Sequence, residues 1–271
     1  MTGIKRIADT FAGLRERGEK GLISYITAGY PSKGQTLDLL KALAEAGSDL
    51  IEIGVPFSDP IADGPVIQHS SQQALAGGIN LDDIFDIAGR FRSHTGVPVL
   101  LMTYYNPVFR RGVDNFVGSA VESGIDGFIV PDLPPEEDDD LRGRCLEQGL
   151  CLVPLAAPTS TDRRLEKIAS RGEGFIYCVS VTGVTGSRNE INTDLKSFSQ
   201  RIKDRTGSPL ALGFGISGPE MARKASANFD AVVVGSAIVK AMEGGSSPDE
   251  INERVFRFAK RIKKSLRDYM S

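Results

Sequence analysis

The chain has 271 residues, 41% of them hydrophobic and 25% charged, with a formal net charge of −3 and a pI near 5.6. This composition is that of a globular protein, and it excludes collagen-like, coiled-coil and intrinsically disordered structure. The slight acidity provides no field that would attract phosphate backbones, so we expect no nucleic-acid partner. We also expect no membrane association, because no stretch approaches the roughly 18 apolar residues of a membrane span and the N terminus lacks the apolar core of a signal peptide. We predict a cytoplasmic location, or the plastid stroma if a transit segment has been removed.

Eight short apolar or β-branched runs alternate with helical segments along the chain. They are LISYIT from Leu22, DLIEIG from Asp49, VPVLLMTY from Val97, DGFIV from Asp126, LCLVPL from Leu150, GFIYCVS from Gly174, PLALGFG from Pro209 and DAVVVG from Asp230. Near-continuous apolar strands between helices indicate a parallel sheet that is covered on its outer face. We therefore predict a single (β/α)₈ TIM barrel that spans residues 1–271 as one domain. A doubly wound open sheet is the alternative, but the turn after the first strand, TAGYPS, lacks the GxGxxG pattern of that fold.

Helices beyond the eight repeats are predicted at both ends and in the longer connections. Ile4, Ile7, Phe11 and Leu14 fall at helical spacing, so an N-terminal helix should cover the floor of the barrel. A closing helix from Pro248 should place an apolar face on the barrel, formed by Ile251, Val255, Phe258, Ile262 and Leu266. The longest connection, between the second and third strands, leaves room for an extra helix.

The most informative segment is IEIGVPFSDPIADGP, residues 51–65. Side chains alternate along a strand, so Ile51 and Ile53 share one face and Glu52 points to the other. If the isoleucines pack under the helices, Glu52 faces the barrel interior near the C-terminal ends of the strands, where barrel enzymes hold their active sites. Burial raises the pKa of a carboxyl group, which suits a group that must both give and take protons. We predict that Glu52 is catalytic.

Asp59 and Asp63 follow Glu52 in a loop that contains Pro56, Pro60 and Pro65. Proline fixes φ, so this loop can hold a carboxylate in one position. The same residues could instead form an Asx-turn network with a purely structural role, and the local sequence leaves both interpretations open.

Glycine-rich strings follow the last three predicted strands: GVTG at 183–186, GFGIS at 213–217 and GSA at 235–237. Glycines let backbone amides approach an anion closely, and helices that begin near Ser217 and Ser236 would direct their positive ends toward it. Barrels commonly keep a phosphate site at this place, so we predict one here. The segment from Thr182 has small residues around Gly183 and Gly186, and it could close as a lid over the phosphate.

Four tyrosines in or near the strand ends, Tyr25, Tyr104, Tyr105 and Tyr177, are either ordinary core residues or the walls of a flat pocket with hydroxyl groups. The three cysteines, Cys145, Cys151 and Cys178, lie in or beside apolar segments without CxxC spacing, which favours buried thiols. The two histidines have no HxH, HxxE or HExxH context. We therefore expect no metal.

Taken together, these segments resemble the tryptophan synthase alpha subunit family of indole-3-glycerol-phosphate lyases. The resemblance is carried by the block from Glu52 through GVPFSDPIADGP, PDLPPEE from Pro131, YCVSVTGVTG from Tyr177, GFGIS and VVVGSAIV, which occur in the family's order over most of the barrel. It implies a lyase of L-tryptophan biosynthesis that cleaves indole-3-glycerol phosphate into indole and glyceraldehyde 3-phosphate.

The resemblance also implies a role for individual residues. Glu52 would be the general acid and base, and Asp63 would bind the indole N–H. Tyr177 would lie close to Glu52, and the indole pocket would include Tyr25, Met102 and Tyr104. The phosphate would bind at Gly186, Gly215, Gly235 and Ser236, and Thr185 would help to position Asp63 when the lid closes. Tyr25 stands where relatives often have Phe, so the shape of the pocket there departs from the family pattern.

No cofactor is expected for this reaction, because an indole ring protonated at C3 can accept the bonding electrons itself. The resemblance implies a beta-subunit partner in an α₂β₂ assembly, with pyridoxal phosphate bound in that partner, and it places Pro56, Asp59, Asp132 and Pro134 on loops that face it. Three alternatives remain open: a stand-alone lyase that releases free indole, a sugar-phosphate isomerase or epimerase that shares only the phosphate site, and a catalytically silent barrel that acts as a regulatory or scaffold subunit.

Overall fold

The computed structural model describes residues 1–179, 188–213 and 215–267, and of residues 188–194 it describes the backbone alone. Within these ranges nine parallel strand segments form one sheet. They are β1 Gly21–Thr27, β2 Leu50–Gly54, β3 Val99–Met102, β4 Gly127–Ile129, β5 Cys151–Leu152, β6 Leu155–Ala156, β7 Ile176–Val179, β8 Leu210–Gly213 and β9 Ala231–Val234. All eight predicted strands are present, with slightly different ends.

The sheet closes into a barrel through the fifth predicted strand, which is broken into β5 and β6. Cys151 and Leu152 pair with β4, whereas Leu155 and Ala156 pair with β7, so one segment of the chain joins the two edges of the sheet. Pro154 lies at the break, where it has no N–H to donate but accepts a 3.0 Å hydrogen bond from the Tyr177 N–H through its carbonyl. The predicted TIM barrel is confirmed.

Helices cover the outside of this barrel. They are α1 Gly3–Glu16, α2 Thr36–Glu45, α3 Pro65–Ala76, α4 Leu81–Arg92, α5 Tyr105–Arg111, α6 Val113–Glu122, α7 Asp139–Glu147, α8 Asp162–Ala169, α9 Arg188–Lys203, α10 Pro219–Ala225, α11 Ser236–Met242 and α12 Pro248–Arg267, with a 3₁₀ turn at Lys33–Gln35. The pairs α3 with α4 and α5 with α6 fill the connections after β2 and β3, which confirms the predicted extra helices. No helix in the described ranges is long and apolar enough to cross a membrane.

The N-terminal helix α1 covers the floor of the barrel. Ile7, Phe11 and Leu14 are buried against inward-facing strand residues such as Leu50 and Leu100. This confirms the predicted floor helix, because the residues at helical spacing are the ones that pack. At the other terminus α12 packs on α2, α10 and α11 with most of its predicted apolar face buried. Phe258 is the exception, since it is half-buried.

Three aspartates tie the strands together at the N-terminal end of the barrel. Asp49, Asp126 and Asp230 each stand immediately before a strand, and each accepts a hydrogen bond from a backbone N–H in the first two residues of a neighbouring strand. The distances to the nitrogens of Leu22, Val99 and Leu210 are 2.7, 2.7 and 2.9 Å. Because parallel strands leave such N–H groups without partners at their ends, the carboxylates satisfy donors that would otherwise be buried and unpaired.

Each of these aspartates also faces a cation. Lys263 Nζ lies 2.9 Å from Asp49, Arg6 and Arg92 both bind Asp126, and Lys20 attracts Asp230. Negative charge at this end of the barrel is therefore both hydrogen-bonded and neutralised.

Candidate active site

A cavity of about 340 Å³ opens at the C-terminal ends of the strands. Glu52 and Tyr177 lie on strands inside the barrel, and Asp63 lies in the loop that follows β2. The connections that follow β8 and β9 form its outer end. The described residues that line it are Tyr25, Glu52, Asp63, Ile67, Met102, Tyr177, Gly215, Ile216, Ser217, Val233, Gly235, Ser236, Ala237, Lys240 and Phe258.

Glu52 lies on β2 and points into this cavity. Its neighbours Ile51 and Ile53 are buried under the helices, whereas Leu50, two residues before it, packs inside the barrel, as strand alternation predicts. Glu52 is 0% exposed, and neither of its carboxyl oxygens has a hydrogen-bond partner among the described residues. Burial raises the pKa of Glu52 to about 8. At neutral pH the group is therefore mostly protonated and can act as an acid.

Asp63 is half-buried in the loop between β2 and α3. The hydroxyl of Tyr104 donates a hydrogen bond of 3.1 Å to its Oδ2 and accepts one of 2.9 Å from the Ala62 N–H, so one side chain holds two points of the loop. Tyr104 is itself fixed by stacking on Phe57, with ring centroids 5.1 Å apart. Burial raises the pKa of Asp63, and the hydrogen bond from Tyr104 opposes this rise.

The predicted pocket residues occupy different positions. Tyr25, Met102 and Tyr177 line the cavity, whereas Tyr104 is connected to it through Asp63. Glycines make room for two of the rings: a Cβ on Gly54 would overlap Tyr25, and a Cβ on Gly213 would overlap Tyr177. These two positions therefore need glycine, because any larger residue would displace a tyrosine ring from the pocket.

The outer end of the cavity contains three of the predicted phosphate-binding residues, Gly215, Gly235 and Ser236. Gly215 has a φ of +82°, a conformation that favours glycine. The fourth predicted phosphate-binding residue, Gly186, and Thr185, which was predicted to position Asp63, lie outside the described residues.

The cavity is also lined by four residues that were not predicted as site residues or as part of the glycine-rich strings: Ile67, Val233, Lys240 and Phe258. Lys240 is exposed, and it is the only lysine or arginine among the described residues that line the cavity. It could have been found, because it follows Ser236 by one helical turn and therefore shares its face of α11. Phe258 comes from α12 and had been assigned to the buried face of that helix. Its position depends on how α12 packs, for which the local sequence carries no signal.

Metal-binding groups do not form a cluster within the described ranges, where no set of three or more His, Cys, Asp or Glu side chains is placed to hold an ion. The three cysteines are free and buried, as predicted.

The fold and the site together define an α/β-barrel enzyme that places a buried neutral acid and a second carboxylate at one end of a cavity and glycine-rich turns at the other. A family model described as tryptophan synthase alpha chain matches residues 11–267. The tryptophan synthase alpha chain of Caldanaerobacter subterraneus subsp. tengcongensis is 46% identical over 263 residues, which cover 97% of this chain and 100% of the relative. That of Methanosarcina barkeri is 45% identical over 264 residues, 97% of this chain and 98% of its own.

Solved structures agree with these relatives. Tryptophan synthase subunit alpha from Legionella pneumophila str. Paris superposes with a TM-score of 0.89 at 35% identity, over 96% of this chain and 98% of that one. A chain of tryptophan synthase from M. tuberculosis gives a TM-score of 0.87 at 32% identity, over 97% and 98%. The chain belongs to the tryptophan synthase alpha chain family, as its motifs predicted, and it is a lyase of tryptophan biosynthesis.

Proposed function

We propose that the chain cleaves indole-3-glycerol phosphate into indole and glyceraldehyde 3-phosphate, with Glu52 as general acid and base and Asp63 as the group that binds the indole N–H. One observation carries this proposal: Glu52 is fully buried, has no hydrogen-bond partner among the described residues, and lines the same cavity as the glycine-rich turns. Burying a carboxyl group without a partner costs free energy, and a catalytic task accounts for that cost.

The reaction balances with these two side chains. Neutral Glu52 gives its proton to C3 of the indole ring, which creates a cation that is shared with the ring nitrogen. The bond between C3 and the glycerol carbon then breaks, and its electrons return to the ring. The hydroxyl of the departing carbon becomes the aldehyde and releases its proton to ionised Glu52, which restores the starting state.

Asp63 would stabilise the cationic ring in this sequence. An ionised carboxylate near the N–H offsets the positive charge that develops, and such interactions are strong where water is excluded. Tyr104 keeps this carboxylate in place through its hydrogen bond and helps to hold it in the ionised form. We propose that Tyr25, Met102 and Tyr177 surround the ring.

The substrate phosphate would bind at the outer end of the cavity. Backbone amides near Gly215 and Gly235, with the hydroxyl of Ser236, are suited to an anion. We include Gly186 in this site and Thr185 in the positioning of Asp63, on the basis of the family's motif. We further propose that no metal or bound cofactor takes part, because the protonated ring serves as the electron sink.

We propose a beta-subunit partner that receives the indole and binds pyridoxal phosphate, in an α₂β₂ assembly. The M. tuberculosis structures are of tryptophan synthase, which supports such a complex. Of the loop residues expected to face the partner, Asp59 and Asp132 are exposed, Pro134 is half-buried and Pro56 is buried. We also propose that residues 1–271 act as one domain, since α1 and α12 pack on the same barrel. A cytoplasmic location stays a prediction.

The test is an assay of the purified chain with indole-3-glycerol phosphate that measures indole and glyceraldehyde 3-phosphate separately. We expect equal amounts of both products and no effect of a chelator. Because Glu52 must carry its proton, kcat/KM should fall about tenfold per pH unit above about 8. Asp63→Asn should lower kcat by about 10²-fold.

The same assay separates the alternatives. Addition of a beta subunit should raise the rate of indole formation; an unchanged rate would indicate a stand-alone lyase. A wild-type chain that forms no indole but isomerises a sugar phosphate would contradict the lyase assignment, and one that forms neither product would be a silent subunit.

A further inference from the structure

Three buried hydroxyl groups form a chain that leads away from the cavity. The Tyr25 hydroxyl lies 3.3 Å from Thr27 Oγ1, and Thr27 Oγ1 lies 2.7 Å from Ser70 Oγ. Ser70 in turn donates a hydrogen bond of 2.9 Å to the Ile67 carbonyl oxygen on α3. Thr27 and Ser70 are both 0% exposed, so water does not compete for their protons.

The three hydrogen bonds take a single direction when Ser70 gives its proton to the carbonyl at the end of the chain. Each hydroxyl has one proton. Since Ser70 gives its proton to a carbonyl, which can only accept, it must accept from Thr27. Thr27 has then used its own proton and must accept from Tyr25. The Tyr25 proton therefore points toward Thr27 and away from the cavity.

Tyr25 lies between the two functional ends of the cavity. Its ring lies beside Gly235 at the outer end, and its hydroxyl lies over Gly54, two residues after Glu52. A ligand with a ring near Asp63 and a phosphate near Gly235 must pass its connecting chain along this tyrosine.

We infer that Tyr25 is a specificity-determining residue whose phenolic oxygen accepts a hydrogen bond from a hydroxyl group on the ligand's three-carbon chain, and that Thr27 and Ser70 are positioning residues that fix this polarity. The inference rests on the proposed function for the identity of the ligand. If Tyr25 accepts this hydrogen bond, the site should bind a ligand with a hydroxylated chain more tightly than one with a plain alkyl chain.

Two ligands and a variant without turnover test the inference. Dissociation constants are measured in the Glu52→Gln background for indole-3-glycerol phosphate and for 3-(indol-3-yl)propyl phosphate, which lacks the hydroxyl groups. Tyr25→Phe should weaken binding of the hydroxylated ligand about five- to tenfold, the effect of one lost hydrogen bond, and should change binding of the propyl ligand less than about twofold.

The positioning role is tested on the same two ligands. Thr27→Val removes the acceptor for the Tyr25 proton, so it should weaken binding of the hydroxylated ligand alone, and it should add nothing in the Tyr25→Phe background. Thr27→Ser keeps the hydroxyl and should bind as the parent does. Ser24→Ala is the matched control, because Ser24 is another buried hydroxyl on β1 that bonds Ser48 instead of this chain.

Each possible result of these binding measurements supports or contradicts one of the two proposed roles. If Tyr25→Phe weakens both ligands equally or neither, the acceptor role is wrong, even when the wild type cleaves the substrate. If Thr27→Val binds as the parent does, or if its effect adds to that of Tyr25→Phe, the positioning role is wrong. If Thr27→Val does not fold, the response of Tyr25→Phe to the two ligands still decides the acceptor role. Wild-type protein that cleaves no substrate contradicts the proposed function separately.

Discussion

Buried carboxyl groups occur at both ends of the barrel, but their surroundings differ. At the N-terminal end Asp49, Asp126 and Asp230 each accept a backbone N–H, and each faces a cation. At the C-terminal end Glu52 is fully buried, as Asp126 is, but it has no hydrogen-bond partner among the described residues. The same chemical group therefore serves to hold strands together at one end and remains available for chemistry at the other.

The pKa values of these carboxyl groups reflect the difference in their surroundings. Burial raises the pKa of Asp49 and of Asp126, but their cations and the backbone N–H groups oppose the rise. Burial raises the pKa of Glu52 to about 8 with no opposing contribution. Burying a charge costs less free energy where the fold supplies partners, and the carboxyl group that has none among the described residues is the one we propose to be reactive.

The largest expected effect is that of Glu52→Gln. It should lower kcat about 10²- to 10⁴-fold, because the amide cannot transfer the proton. The same variant should be more stable than the wild type above about pH 4.5. The folded wild type keeps the Glu52 proton up to about pH 8, whereas the unfolded chain loses it near 4.5. The free energy of unfolding therefore falls by about 1.4 kcal/mol per pH unit between these values, and Glu52→Gln removes that fall.

Urea unfolding of both proteins checks this expectation. The two free energies should be similar near pH 4, and the variant should be more stable by several kcal/mol at pH 8. A constant difference at all pH values would mean that Glu52 titrates normally in the folded protein, and the contrast between the two ends would then be lost.

The second prediction concerns Asp126→Asn at the opposite end. The substitution leaves Arg6 and Arg92 without their buried counter-charge, so it should lower the free energy of unfolding by about 3–5 kcal/mol. Where the variant is folded, kcat/KM should stay within about twofold of the wild type. Asp162→Asn is the control, because Asp162 pairs with Arg201 at the surface, where water screens the pair, so this substitution should change the free energy of unfolding little. A large loss of activity in folded Asp126→Asn would contradict the separation of roles.

The sequence predicted those parts of the structure that depend on short periodic patterns. Strand alternation placed Glu52 inside the barrel, and helical spacing placed Phe11 on its floor. The break in the fifth strand was not predicted, although Pro154 was visible as a residue that cannot donate to a ladder.

Positions that depend on distant contacts could not be predicted from local patterns. Asp63 is held by Tyr104, which lies 41 residues away in the chain, so its loop alone left a structural and a catalytic role equally open. Tyr104 was assigned to the pocket through the resemblance, yet it contacts the cavity through Asp63. The direction of the Tyr25 hydroxyl depends on Ser70, on another element.

The smallest expected effect is that of Gly54→Ala, which tests whether the catalytic end depends on space as well as on an unpaired acid. The new methyl group would overlap the ring of Tyr25, and overpacking of this kind typically costs about 1–3 kcal/mol of unfolding free energy. The displaced ring should also lower kcat/KM about tenfold, since small shifts near reacting atoms are costly. Gly143→Ala on α7 is the control, because nothing lies within 4 Å of the added methyl group. Urea unfolding and steady-state kinetics measure both quantities. Wild-type kinetics in Gly54→Ala would show that the position of Tyr25 does not matter for turnover, and the reactive end would then be defined by Glu52 and Asp63 without the surrounding rings.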